Sequence, residues 1–381
     1  MKRIYIPKNL ELSGIVDPEY NNARDLDRLH YIIHLIYEQR ILYRVAEDYV
    51  PLKAIYLRNL IIRNYNDYVK LLIDKKVIEC DGHYQKSEKS LGYRLCALYR
   101  GIKHKEISFN TKCVQNNIDR WNKRRLPTTE VHLYLYSLLQ QIEINYDEAL
   151  NYVNELSIEE YNNSKIAIDK FNNKEFFLYS DEFGNRVHTN ITNLKSILRK
   201  YLSYKGEKLV NVDIVNSQPL LLIPSLFPSI RCTFDIYFDD IGMDLLKYKQ
   251  LVESGKLYDY MMERSGETDR AAFKEKFFRE TLFGRKTSKL FCSLFPTIAA
   301  ELMKIKSKDY RNLARIMQRT ESKLMITKIC GRLMQDYPDV FIATIHDSIL
   351  TTQDNVSNIQ NVILEEFAEY GLSPTIRIES T

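Results

Sequence analysis

The run Phe341–Thr352, FIATIHDSILTT, joins two apolar β-forming stretches through a histidine and an aspartate. The stretches on either side predict strands, and the break between them predicts a tight hairpin. A carboxylate in such a segment costs free energy unless it is paired or coordinates a metal. Either His346-Asp347 faces water at the turn, or Asp347 is held there for chemistry. A second strand-like run, LVNVDIV (209–215), also carries an aspartate, Asp213. Further strands are expected at VFIATI (340–345), SILTT (348–352) and TIRIES (375–380), with long helical stretches between. That succession predicts an α+β domain built on an antiparallel sheet. On adjacent strands, Asp213 and Asp347 would form an oxygen-ligand site for magnesium. Two ions so held can clamp the attacking and leaving oxygens of a phosphoryl transfer.

The N-terminal half reads differently. Residues 24–48 carry apolar residues at helical spacing and predict an amphipathic helix. His30 and His34 share one face of it, but no HExxH pattern accompanies them, and packed histidines are the commoner outcome. Two short helical patterns, about Leu52–Ile61 and Tyr65–Lys75, lead into a strand VIEC, the turn Asp81-Gly82 and a second strand GYRL. Helix, helix, hairpin is the outline of a winged helix-turn-helix. Its hairpin carries His83, Lys86, Lys89 and Arg94 with Tyr84 and Tyr93 interleaved, a set suited to phosphate contact. A protein-docking winged helix is the alternative. Residues 106–172 read as helical throughout, with the basic cluster Arg120, Lys123, Arg124 and Arg125 closing one helix. Such a cluster is either a solvated helix end, favoured by the helix dipole, or a nucleic-acid track.

With 381 residues, 45% of them hydrophobic, the chain can bury a large core in two or three domains. No apolar run reaches the length of a membrane span, and the first residues lack the apolar core of a signal peptide. The six cysteines are scattered without a CxxC pair, which reads as reduced thiols in a cytoplasmic protein and argues against structural zinc. A net charge of +5 permits nucleic-acid binding without demanding it.

Between the two aspartates lies Arg270–Lys286, RAAFKEKFFRETLFGRK. On a helix, Arg270, Lys274 and Phe278 share one face. Two cations and an aromatic in that row fit a triphosphate with a base beside it, whereas the plainer reading is an amphipathic helix with basic margins. The order of the blocks, a strand aspartate, an Arg/Lys/Phe helix ending in Phe283-Gly284 and a His-Asp hairpin, resembles motifs A, B and C of family A DNA polymerases. FGNRVHTNITNL (183–194) is similar to that family's Gly-Arg element ahead of motif A, and LRKYL (198–202) leads into the motif A strand. MQRTESKLM (317–325) is similar to its Met-Gln-x-Thr helix, and GLSPTIRIES (371–380) to the closing strand of its palm. The resemblance covers about residues 176–381, with every block in order.

The resemblance implies roles for individual residues. Asp213, Asp347 and the backbone carbonyl of Ile214 would be ligands of two magnesium ions. Arg270 and Lys274 would hold the incoming triphosphate, Lys274 also giving a proton to departing pyrophosphate. Phe278, Gln218, Phe283 and Gly284 would line the nucleotide. Arg186, His346, Gln318 and Asn193 would contact primer–template, with Lys86, Lys89 and Arg94 as further DNA contacts. The expected organisation is an N-terminal winged-helix-like domain over 1–105, a helical connector and short thumb over 106–175, and a palm with helical fingers over 176–381, the fingers at about 230–316. The implied activity is addition of dNTPs to a 3′-OH. No proofreading exonuclease is expected, because only about 175 residues precede the palm. Implied partners are DNA and nucleoside triphosphates. The small polymerases of phages or mobile elements, which the chain resembles in general shape, add replication or element-encoded proteins as partners.

Three departures leave the sugar open. Ser217-Gln218 stand four and five residues after Asp213, where the family has Ser-Gln at two and three. The family's ribose-excluding glutamate therefore falls at Gln218 by direct counting, or at Leu220 with an insertion. Phe283-Gly284 come one residue later after Lys274 than in the family. Ser348 replaces the usual glutamate after the aspartate, as in single-subunit RNA polymerases. An RNA-synthesising enzyme and a non-catalytic DNA-binding replication protein remain the alternatives. YFDD (237–240) matches a reverse-transcriptase signature, but four residues recur by chance, and it reads as an acidic loop.

Overall fold

The computed structural model describes residues 2–45, 48–85, 89–227 and 242–381, so Lys86 and the YFDD stretch lie outside the described residues. The fold is α+β with antiparallel sheets. The chain divides into two units, one of residues 1–126, 143–176 and 193–201, the other of residues 127–142, 177–192 and 202–381.

In the first unit the helix Ala23–Tyr43 is capped by the Asn22 side chain, which accepts from the Asp25 amide, and ends at Arg44 in the left-handed region. It buries Leu29, Ile32, Ile33 and Ile36 in this unit's core. His34 is fully buried on the same helix and accepts a hydrogen bond from the Tyr5 amide at 3.2 Å. Burial pulls both His30 and His34 down to about 4, so they are neutral packed rings. The short strand Val50–Pro51, the helices Ala54–Leu60 and Asn66–Asp74, and the strands Ile78–Cys80 and Gly92–Leu95 follow in order. The three strands form one antiparallel sheet with Gly92–Leu95 in the centre. The helix–helix–hairpin succession is thus present, with a strand ahead of it that local periodicity did not signal.

The expectation of unbroken helix over 106–172 requires correction. His104–Ser108 is a strand paired antiparallel with Arg3–Pro7, and Ile142–Ile144 is a further strand. The pairing joins segments far apart in sequence, which local spacing cannot report. The helices Lys112–Arg124, Tyr146–Asn154 and Ile158–Asn172 remain helical as expected.

The second unit is organised on the strand Glu207–Ile214. It pairs antiparallel with Ser348–Thr352 on one side and Ile376–Ser380 on the other, and its start pairs with Leu202–Tyr204. Ser348–Thr352 pairs in turn with Ala343–Ile345. Alternate residues Val212 and Ile214 are buried, as a strand packed on one face requires. The described residues from 242 to 316 are helical and connecting segments only, among them Met243–Glu253, Leu257–Ser265, Arg270–Lys276 and Pro296–Lys308. Among the described residues, no helix is long and apolar enough to cross a membrane.

Candidate active site

Strand register brings the two aspartates together. Asp213 lies directly opposite Ser348, and Asp347 is the residue just before Ser348. Ile345 pairs with Ser348, so His346-Asp347 is a two-residue hairpin turn. His346 takes a φ of 55° there, the left-handed conformation that tight hairpins demand of a loop residue. The turn fixes Asp347 at the same end of the sheet as Asp213.

Both carboxyls are pushed above the ordinary aspartate range. Burial is the main cause at each. At Asp347 the charge of Asp213 adds to it, while its own backbone amide, Arg186 and Ser217 oppose it. At Asp213 the opposing groups are Arg377, which donates from Nη2 to Oδ2 at 2.9 Å, and Lys274. Two partly buried carboxylates that disfavour each other's ionisation, with cations around them, form a hard-oxygen site for a divalent cation. Among the described residues, no three His, Cys, Asp or Glu side chains gather into a closed metal cage.

Arg186 stands on the hairpin formed by Leu178–Ser180 and Val187–Thr189. The loop between these strands packs on the helix Arg311–Ser322. Arg319 donates to the carbonyls of Glu182 and Phe183, and Ser322 donates to that of Gly184. A Cβ on Gly184 would collide with the Gln318 side chain, which explains glycine at this close approach. The His188 ring meets the His346 ring edge-on at 6.3 Å.

Arg186 forms a bidentate pair with Glu321, from Nε at 2.8 Å and Nη2 at 3.1 Å. Gln218 donates its amide to the same carboxylate. Glu321 is 1% exposed, and burial raises its carboxyl to about 7 although Arg186 pulls the other way. The Gln218 side-chain oxygen is buried without a hydrogen-bond partner. Residues Val215 and Asn216 separate the strand from the helix Ser217–Leu226, with Asn216 left-handed at φ 56°. This two-residue connection accounts for the longer Asp-to-Ser-Gln spacing.

Arg270 is exposed, paired with Asp259 at 3.0 Å and set over the Tyr258 ring. Burial pushes the Tyr258 phenol well up; Arg270 opposes this and Asp347 adds to it, so both lie within electrostatic reach of Tyr258. Lys274 is exposed one turn after Arg270. Beyond Lys276 the helix widens into π-helical turns over Phe277–Leu282, so α spacing holds only as far as Lys276. Phe278 lies in the widened part and stacks on Phe283 at 5.7 Å. Gly284 is dictated by space, because a Cβ would strike the Arg279 carbonyl.

The remaining predicted contacts are dispersed. Asn193 ends a short helix and belongs to the first unit. Also in the first unit, Lys89 pairs with Asp81 at 3.0 Å, and Arg94 pairs with Glu79 at 2.8 Å and lies over the Tyr49 ring. Leu220 is fully buried, and Gln218 rather than Leu220 reaches the charged network. Sequence reasoning missed Glu321, Arg377 and Tyr258. Glu321 had a signal: with Leu313 and Met317 it completes a buried i, i+4, i+8 stripe, and a carboxylate in such a stripe needs a partner.

No protein-family model matches the chain, and no curated protein matches it. Among solved structures, it is similar to the POL domain of Pol1 from M. smegmatis in complex with DNA primer-template and dNTP, with a TM-score of 0.32 and 10% sequence identity. The match covers 58% of this chain and 51% of that one, so the chain spans about half of that structure's length.

Proposed function

We propose that the chain is a nucleotidyltransferase, a DNA polymerase of the family A type that adds dNTPs to a 3′-OH and has no proofreading exonuclease. The observation that carries this reading is the register that sets Asp213 and Asp347 side by side at one end of the sheet. The order of sequence motifs supports it. Two magnesium ions held by Asp213, Asp347 and the Ile214 carbonyl would supply the charge that activates the 3′-oxygen and neutralises the leaving group.

The chain's own residues do the rest. Lys274 and Arg270 bind the triphosphate, Arg270 exchanging Asp259 for phosphate oxygens, and Lys274 delivers the proton that pyrophosphate takes up. The stacked pair Phe278 and Phe283 forms a wall for the base. Arg186, His346 and Gln318 hold the primer–template end, and Asn193 adds a contact. Lys86, Lys89 and Arg94 of the winged-helix-like segment contact phosphate, Lys89 and Arg94 by leaving their carboxylate partners.

Gln218 favours a second reading. By direct counting from Asp213, Gln218 falls at the ribose-excluding glutamate of DNA polymerases; its amide is held by Glu321, and its unpartnered oxygen can accept from a ribose hydroxyl. This is the observation on which an RNA-synthesising enzyme would rest. Primer extension on a templated hairpin with magnesium separates the two, with dNTPs and NTPs supplied separately and Asp347→Asn as control. Extension with dNTPs alone, lost in the variant, is the expected result. Extension with NTPs moves the assignment to RNA synthesis. Absence of extension with either, or synthesis that survives Asp347→Asn, overturns the two-aspartate chemistry.

A further inference from the structure

The first unit contains a cavity of about 370 Å³ that the carboxylate site does not use. It lies between the end of the helix Ala54–Leu60 and the helix Lys112–Arg124. Four arginines line it, Arg28, Arg58, Arg120 and Arg124, together with Trp121, and no Asp or Glu does. Arg28 is balanced, donating to Asp25 and Tyr68 at 2.7 Å each. Its Nε is buried without a hydrogen-bond partner. Arg58, Arg120 and Arg124 form no ion pair among the described residues, although exposed arginines elsewhere in the chain, such as Arg311 and Arg332, find carboxylates. The helix end at Leu60 and Ile61 would offer negative carbonyls to the cavity, but the Asn117 amide donates to both, at 3.3 and 3.2 Å. The lining is therefore positive on every charged side.

Arg58, Arg120 and Arg124 are exposed cations without a carboxylate partner among the described residues, at the rim of one open cavity, and a multiply charged anion would be drawn to them. Arginine forks match phosphate oxygens bidentately. The indole of Trp121 adds a flat apolar wall, and a cavity of this size falls in the range of about 300–1,000 Å³ that suits small ligands. We propose that the cavity binds a nucleoside phosphate, free or at the end of a strand, with the arginines on the phosphates and Trp121 beside the base. This site is independent of the aspartate pair and of the polymerase reading.

Trp121 is the only tryptophan in the chain, so its fluorescence reports this cavity directly. The full chain is titrated with dTTP, with a 5′-phosphorylated oligothymidylate and with the same strand bearing a 5′-hydroxyl. A saturable change with dTTP assigns the free nucleotide; a change with the 5′-phosphorylated strand only assigns the strand end. Arg120→Ala with Arg124→Ala should weaken that binding roughly tenfold or more, as loss of charge-assisted hydrogen bonds requires. Arg58→Ala should do the same from the other helix, with circular dichroism checking that each variant is folded. The proposal is overturned by no saturable change with any probe, by equal response to both strands without response to dTTP, or by arginine variants that bind as the parent does. Loss of the signal in Asp347→Asn also overturns it, because the fluorescence would then report the other site. Failure of primer extension leaves this prediction standing.

Discussion

Replacing Glu321 by glutamine should remove a pH dependence of stability from the second unit. Burial raises this carboxyl from 4.5 to about 7, with Asp347 adding to the rise and Arg186 and Gln218 opposing it. An acid whose folded-state value is raised holds its proton more tightly in the native chain than in the unfolded one. Stability from this group is therefore greatest below the unfolded value of 4.5, falls as pH rises towards 7, and is level above that. Integrating the linkage between pH 5 and pH 8 gives a loss of roughly 2–3 kcal/mol. At a urea dependence of roughly 2–3 kcal/mol per molar, this moves the midpoint by about 1 M. Unfolding is followed by far-ultraviolet circular dichroism, because the sole tryptophan lies in the first unit. Glutamine still accepts from Arg186, and a flipped Gln218 amide would turn its oxygen to accept from the new side chain, so Arg186 keeps an acceptor while the variant's midpoint varies less with pH. Parallel pH profiles for the two chains would refute Glu321 as the titrating group.

Other substitutions test the neighbouring residues. Gly284→Ala forces a methyl group against the Arg279 carbonyl and should destabilise the chain by roughly 1–3 kcal/mol, read as a lowered thermal midpoint. Arg377→Ala removes the cation on Asp213 and should lower the magnesium concentration for half-maximal synthesis by up to about fivefold, the equivalent of a ~1 kcal/mol exposed ion pair. An unchanged magnesium dependence would show that Arg377 does not compete for Asp213. Lys274→Ala should slow nucleotide addition by roughly a hundredfold or more while primer–template binding, measured by anisotropy, is unchanged.

The sheet was legible because its strands are apolar runs with β-branched residues, and because the two-residue interruption in FIATIHDSILTT allows only a tight turn. That local rule located Asp347, and strand pairing then delivered it beside Asp213. Arg377 was hidden because it matters only through cross-strand pairing with Asp213, a relation between segments far apart in the chain. Glu321 was hidden in plain view inside a motif read for its Met-Gln-x-Thr residues. Its apolar-stripe position carries the information, and that becomes visible only when helix phase is followed residue by residue. The strand His104–Ser108 was missed for the same reason as Arg377, since its partner is the N-terminal strand. The widened turns after Lys276 break the 3.6-residue rule, so the face assigned to Phe278 could not be read from spacing.

The chain passes between its two units at residues 126, 142, 176, 192 and 201. Neither unit is a contiguous stretch, so no single cleavage separates one from the other. A fragment starting at residue 202 would retain both aspartates and Lys274, yet it would lack the hairpin that carries Arg186 and leave Glu321 buried without its cation. Interleaving of this kind makes the second half a poor cassette for transplantation. It ties the site to a stretch that begins no later than residue 177, and an exchange of residues 202–381 alone would part Asp213 and Asp347 from Arg186.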